Sequence, residues 1–250
     1  MDISLSVEPT IDKDIILPFD KITDTSNIMI NSIIYPTSSD SSTSYTPSII
    51  NASALSDDVL TNRGKILITG TGRAGTTFLM IIFSYLNLDT GYNRKSFTSH
   101  ISTNCNSGLE VCVSQIFKRK QKIIKNPRIF TCVDDIISKG KVELVIIPIR
   151  NYDESATSRV KHGIDKGGYF GQGVKDKDTQ LSFYYENMAK YIYNMVKYDI
   201  PTIFIDFTRM VSNPKYLFDS LMPLLKHISY EDFLEAYEFA TKHQKKEKTA

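Results

Sequence analysis

The sequence predicts an α/β protein whose mainly parallel sheet is covered by helices on both faces. Three observations predict it. Apolar runs of strand length alternate with stretches of helical periodicity, and a glycine cluster joins the first run to the first helix. The run Val142–Ile149 (VELVIIPI) is apolar almost throughout, as a strand buried on both faces must be. In chain order, Lys65–Thr69 (KILIT) reads as a strand and Thr76–Leu86 as the helix after it. Lys122–Lys125 (KIIK) is a strand before a helix over Ile129–Lys139, and VELVIIPI leads into a polar helix over Tyr152–His162. Leu181, Tyr184, Met188, Tyr191, Ile192 and Met195 share one face of a long helix, and this stripe is expected to be core. Pro201–Asp206 (PTIFID) is a last strand, before a helix over Pro214–Leu225. Ligands of such sheets lie beyond the strand carboxyl ends, where the loops bearing Gly70–Gly75 and Arg150 are expected to converge.

Composition divides the chain near residue 62. Residues 1–62 hold nine acids and two bases, and Ser38–Ser48 (SSDSSTSYTPS) supplies no core face. They are expected to form an acidic, Ser/Thr-rich extension, poorly ordered or loosely docked, with apolar pieces at Asp14–Phe19 and Ile28–Tyr35. Residues 63–250 carry the opposite balance, 28 bases against 19 acids, which suits an anionic ligand: nucleotide, sulfated sugar or nucleic acid. Cys105, Cys112 and Cys132 form no CxxC pair and no metal-ligand spacing, and are expected to be buried thiols in a reducing compartment. The amino terminus lacks a basic region followed by an apolar run, and no stretch reaches the roughly 18 apolar residues of a membrane span. A cytoplasmic protein without membrane contact is the expectation.

Gly70-Thr71-Gly72-Arg73-Ala74-Gly75-Thr76-Thr77 follows a strand and opens a helix. Glycines let backbone N–H groups turn toward an oxyanion, and the helix amino terminus adds donors and a favourable dipole. The spacing fits GxxxxGK[ST] with Thr76 in place of the lysine that nucleoside triphosphatases use on the β- and γ-phosphates. A GxGxxG reading also overlaps here, but Asp89, about the right distance downstream, follows a helix instead of ending a second strand. Arg73-Ala74-Gly75-Thr76-Thr77-Phe78 resembles the 5′-phosphosulfate loop of sulfotransferases that use 3′-phosphoadenosine 5′-phosphosulfate (PAPS), with Ala74 in place of the usual serine. The resemblance implies a P-loop type three-layer fold. It also implies Arg73 on the sulfuryl oxygens, and Gly72, Ala74, Gly75, Thr76 and Thr77 around the 5′-phosphate.

A second stretch strengthens the resemblance. Arg150-Asn151-Tyr152-Asp153 follows the strongest strand, and Ser158 stands eight residues after the arginine, similar to the family's 3′-phosphate motif with Tyr152 in place of proline. A guanidinium fork can grip a phosphate bidentately, and Ser158, two turns into a helix, can add a hydroxyl. A strand-end arginine paired with Asp153 or Glu154 is the structural alternative. Ile203–Leu225 looks like a further family segment; TIFID could be called a Walker B strand with Asp206 on magnesium, but without a P-loop lysine the family assignment is favoured.

The resemblance therefore implies a transferase, a nucleotide-binding domain with PAPS as donor and no required metal. The acceptor would be a small molecule or carbohydrate rather than nucleic acid; the oligomeric state stays open. Lys125 of Lys125-Asn126-Pro127 matches the family's lysine, with Pro127 where many members have histidine, and becomes a second cation for the sulfate. Glu110 is the first candidate for the base, ahead of His100, Asp134 and His162. A P-loop nucleotide or small-molecule kinase and a noncatalytic nucleotide-binding protein are the rival functions.

Overall fold

The computed structural model describes residues 49–50, 64–101, 108–162, 171 and 173–246. Most of the predicted extension over residues 1–62 lies outside the described residues, apart from β1 (Ile49–Ile50). The sheet also contains β2 (Lys65–Ile68), β3 (Ile123–Lys125), β4 (Val142–Ile149) and β5 (Thr202–Asp206), in the order β1-β5-β4-β2-β3. The last four run parallel, and β1 lies antiparallel on the outer edge of β5.

Side chains alternate across the pleat, so the four parallel strands contribute to two cores. Ile66, Ile68, Leu144, Ile146, Ile203 and Ile205 face α1 (Thr76–Tyr85), Leu217 and Leu221 of the α6 region (α6 is Pro214–Ser220) and α8 (Tyr230–Lys246). Leu67, Ile124, Val145 and Ile147 face the other way, onto Ile136 of α2 (Val133–Ile137) and Met188, Tyr191 and Met195 of α4 (Lys177–Lys197). Helices thus cover both faces, as the uninterrupted apolar run of β4 requires. The stripe on α4 is core, as predicted, and Phe130 stacks on Tyr191 at 5.8 Å. The helix starts at a capping box, in which Asp176 and Thr179 satisfy each other's backbone.

Two predicted helical stretches differ in detail, and one short helix is additional. Residues Ile129–Lys139 form a 3₁₀ turn over Pro127–Thr131 and then α2, separated by Cys132 at φ −141°. Residues Pro214–Leu225 divide at Leu221 into α6 and α7 (Met222–Leu225), because Pro223 in the first turn of α7 cannot donate back into α6. A short α5 (Phe207–Ser212) fills the segment after β5, capped by Asp206, whose carboxylate accepts from Arg209 N at 2.7 Å. Helix α3 (Tyr152–His162) begins where expected, with Asn151 Oδ1 accepting from Glu154 N at 3.2 Å.

Among the described residues no helix is long and apolar enough to cross a membrane. Cys112 is exposed and Cys132 half-buried, contrary to the expectation of buried thiols, and hydrogen bonding from Ser114 draws the Cys112 thiol below its ordinary value. Cys105 lies outside the described residues.

Candidate anion-binding site

Strand β2 lies between β3, which follows it in sequence, and β4, so the chain reverses its direction of growth there. Crevices at such points, beyond the strand carboxyl ends, are where open parallel sheets bind ligands. Three segments leave the sheet on this side: the loop after β2, Lys125 at the end of β3 and in register with Ile68, and Arg150 after β4.

The loop is built from left-handed backbone. Gly72 and Gly75 have φ of 71° and 85°, and Arg73 between them holds φ 57°. Such a conformation turns successive N–H groups toward one concavity. Neither glycine tolerates a side chain. A Cβ on Gly72 would enter the Arg159 guanidinium, and one on Gly75 would meet Met210 and Phe207. Gly75 is also the N-cap of α1, which has no capping side chain and no acid in its first turn. The dipole at this end is thus not offset by a local carboxylate.

Lys125 is 1% exposed and donates to Thr77 Oγ1 at 2.9 Å, to the Gly108 carbonyl at 2.8 Å and to Glu110 Oε1 at 2.9 Å. It therefore joins the first turn of α1 to Glu110, whose side chain is 42% exposed. The segment bearing Glu110 is tied to β3 by Val111 N donating to Lys125 O, and by Asn126 Nδ2 donating to Val111 O.

Arg73 meets the second motif from two directions. Its Nε donates to Ser158 Oγ at 3.4 Å, and its carbonyl accepts from Arg150 Nη1 at 3.4 Å. Arg150 also pairs with Glu154 at 3.1 Å and lies 5.1 Å from the Phe207 ring centroid. The arginine–glutamate pairing raised as the structural alternative is thus present, and it coexists with the approach to the loop.

Arg159 was not singled out in the sequence. It is 6% exposed and donates from Nη2 to the Thr71 carbonyl at 2.9 Å and from Nε to Tyr184 Oη at 2.7 Å. Burial draws its guanidinium below the ordinary value and pushes the Tyr184 phenol up. Ser155, Ala156 and Arg159 share the inward face of α3 at helical spacing, and all three are buried. That small-small-arginine face inside a polar helix is the signal the sequence held.

The remaining candidates lie elsewhere. His100 is exposed, its ring 5.2 Å from that of Tyr92. Asp134 lines a cleft with Lys190 and Lys197 on the α4 side. The side chain of His162 is outside the described residues. Asp89 accepts from the backbone N of Lys122 at 2.9 Å, at the amino end of β3 and away from the loop, so it cannot read a ribose bound there. Among the described residues no group of three or more His, Cys, Asp or Glu is arranged to hold a metal ion. No family model matches the chain, and no curated protein and no solved structure matches it.

Proposed function

We propose that residues 63–250 form a P-loop type sulfotransferase domain that moves a sulfuryl group from PAPS to a hydroxyl or amine of a small-molecule or carbohydrate acceptor. The observation that carries this reading is the contact of Arg73 with Ser158 and Arg150, and of Lys125 with Thr77, around one uncapped helix amino terminus. Loop amides with Thr76 and Thr77 would hold the 5′-phosphate, and Arg150 with Ser158 the 3′-phosphate. In the transfer, an acceptor lone pair forms a bond to sulfur while the bond from sulfur to the bridging oxygen breaks. The electron pair stays on that oxygen, giving 3′,5′-adenosine bisphosphate, and the acceptor proton passes to Glu110. Arg73 and Lys125 would stabilise the charge that grows on the leaving oxygen.

The kinase alternative draws less support, since Asp206 is engaged in capping α5. The test is calorimetric titration with 3′,5′-adenosine bisphosphate, 5′-AMP and magnesium–ATP. The bisphosphate is expected to bind tenfold or more tighter than 5′-AMP, as a charge-assisted contact of about 1.5–3 kcal/mol predicts. Equal affinities for the two, or preference for magnesium–ATP, would overturn the reading.

A further inference from the structure

The outward face of α4 carries an inference that does not depend on the ligand in the crevice. The inward face of this 21-residue helix is buried through Tyr184, Met188, Tyr191 and Met195. A helix on a solvated surface presents polar residues outward. Here the outward stripe is Ser182, Tyr185, Ala189, Tyr193 and Val196, all exposed, with Tyr185, Tyr193 and Val196 at 63%, 65% and 62%. Exposed tyrosines around a small residue form an apolar patch of the kind found at interface centres, where two-torsion aromatic side chains lose little entropy on docking.

The stripe is also symmetric in its spacing. Its steps run three, four, four, three about Ala189, with a tyrosine four residues to either side and Ser182 and Val196 at the ends. Two copies laid antiparallel would set Tyr185 against the partner's Tyr193 and Ser182 against the partner's Val196, with Ala189 on the two-fold axis permitting close approach. Charge follows the same symmetry. Glu186 and Lys190 lie on one flank of the stripe, both exposed. In an antiparallel helix pair each flank meets its own copy, so Glu186 reaches the partner's Lys190, and the contact occurs twice. A parallel pair would instead set that flank against the opposite one, formed by Leu181, Met188 and Ile192, which are buried or half-buried on the core side.

We infer that the chain forms a two-fold homodimer through the outward face of α4, with Tyr185 and Tyr193 as its apolar contact and Glu186 with Lys190 as its reciprocal ion pair. Sedimentation velocity on the full chain tests this at about 50 µM, well above the micromolar upper end for interfaces of ordinary size. The expected mass is twice 28.4 kDa. Tyr193→Glu is expected to give the monomer with an unchanged near-ultraviolet spectrum apart from the lost tyrosine. Glu186→Lys and Lys190→Glu are each expected to weaken the dimer about tenfold, since the two-fold counts each like-charge contact twice. The double variant Glu186→Lys/Lys190→Glu is expected to restore it. A monomeric wild type, a dimer indifferent to Tyr193→Glu, or a double variant no tighter than the single ones would overturn the inference.

Discussion

The glycine loop after β2 and the arginine segment after β4 are built differently. The loop after β2 is interior structure: Ala74, Thr76 and Thr77 are 0%, 4% and 7% exposed, and buried Arg159 and Lys125 brace it from either side. The arginine motif is surface structure, with the Arg150 side chain 25% exposed and its carboxylate partner Glu154 60% exposed. An exposed ion pair of this kind contributes about 0–1 kcal/mol, so Arg150 can be re-aimed at a ligand at small cost. The loop pays for its shape when the chain folds, whereas on the proposed function the arginine segment would be arranged by the ligand. Damage to the loop's braces should therefore appear in stability and affinity together, and damage at Arg150 in affinity alone.

The largest effect is expected from Arg159→Met. It leaves the buried Thr71 carbonyl and Tyr184 hydroxyl without their guanidinium donor, which costs about 3 kcal/mol and lowers Tm by about 6–12 °C. Bisphosphate affinity should fall with it. Urea unfolding and calorimetry on one preparation check both, and an unchanged unfolding midpoint would break the comparison. Arg150→Ala comes next, with bisphosphate affinity lowered tenfold or more and stability within about 1 kcal/mol of wild type. A loss of stability equal to that of Arg159→Met would mean that the 3.4 Å contact from Arg150 to the Arg73 carbonyl supports the loop, and the two motifs would be one unit. The smallest binding effect is expected from Glu110→Gln. Removing a half-exposed carboxylate 2.9 Å from Lys125 leaves that cation's charge less offset and should tighten bisphosphate binding about two- to fivefold. Weaker binding in this variant would show that Glu110 orients Lys125 rather than competing with the anion.

The strands were legible because a parallel strand buried on both faces is an uninterrupted apolar run, and VELVIIPI has no other reading. The glycine loop was legible because left-handed backbone beside a helix start leaves few residue choices. Helix α8 was not, since of its buried residues only Phe233 is large and wholly apolar, while Ala236, Tyr237 and Ala240 are small or half-polar and are set among lysines and glutamates. Arg159 escaped for a related reason. A charged residue in a polar helix looks solvated until the fold sets the Thr71 carbonyl and Tyr184 against it, and both contacts span long stretches of sequence. Glu110 could be named from its place after Gly108-Leu109, but its contact with Lys125 depends on Val111 bonding to β3.

Both margins of the sheet are covered by the chain itself. On one side Ile49 and Ile50 pair with Ile203 and Thr202; on the other, Ile123 N donates to Asp89 O and Val111 N to Lys125 O. An open strand margin is a template for recruiting other chains, and the largely buried apolar strand β5 would present one without its neighbour. The dipeptide Ile49–Ile50 therefore acts as a guard against aggregation, a task that depends on backbone pairing and leaves little trace in side-chain chemistry. A boundary drawn at residue 62 by composition would discard that guard and bare the outer side of β5.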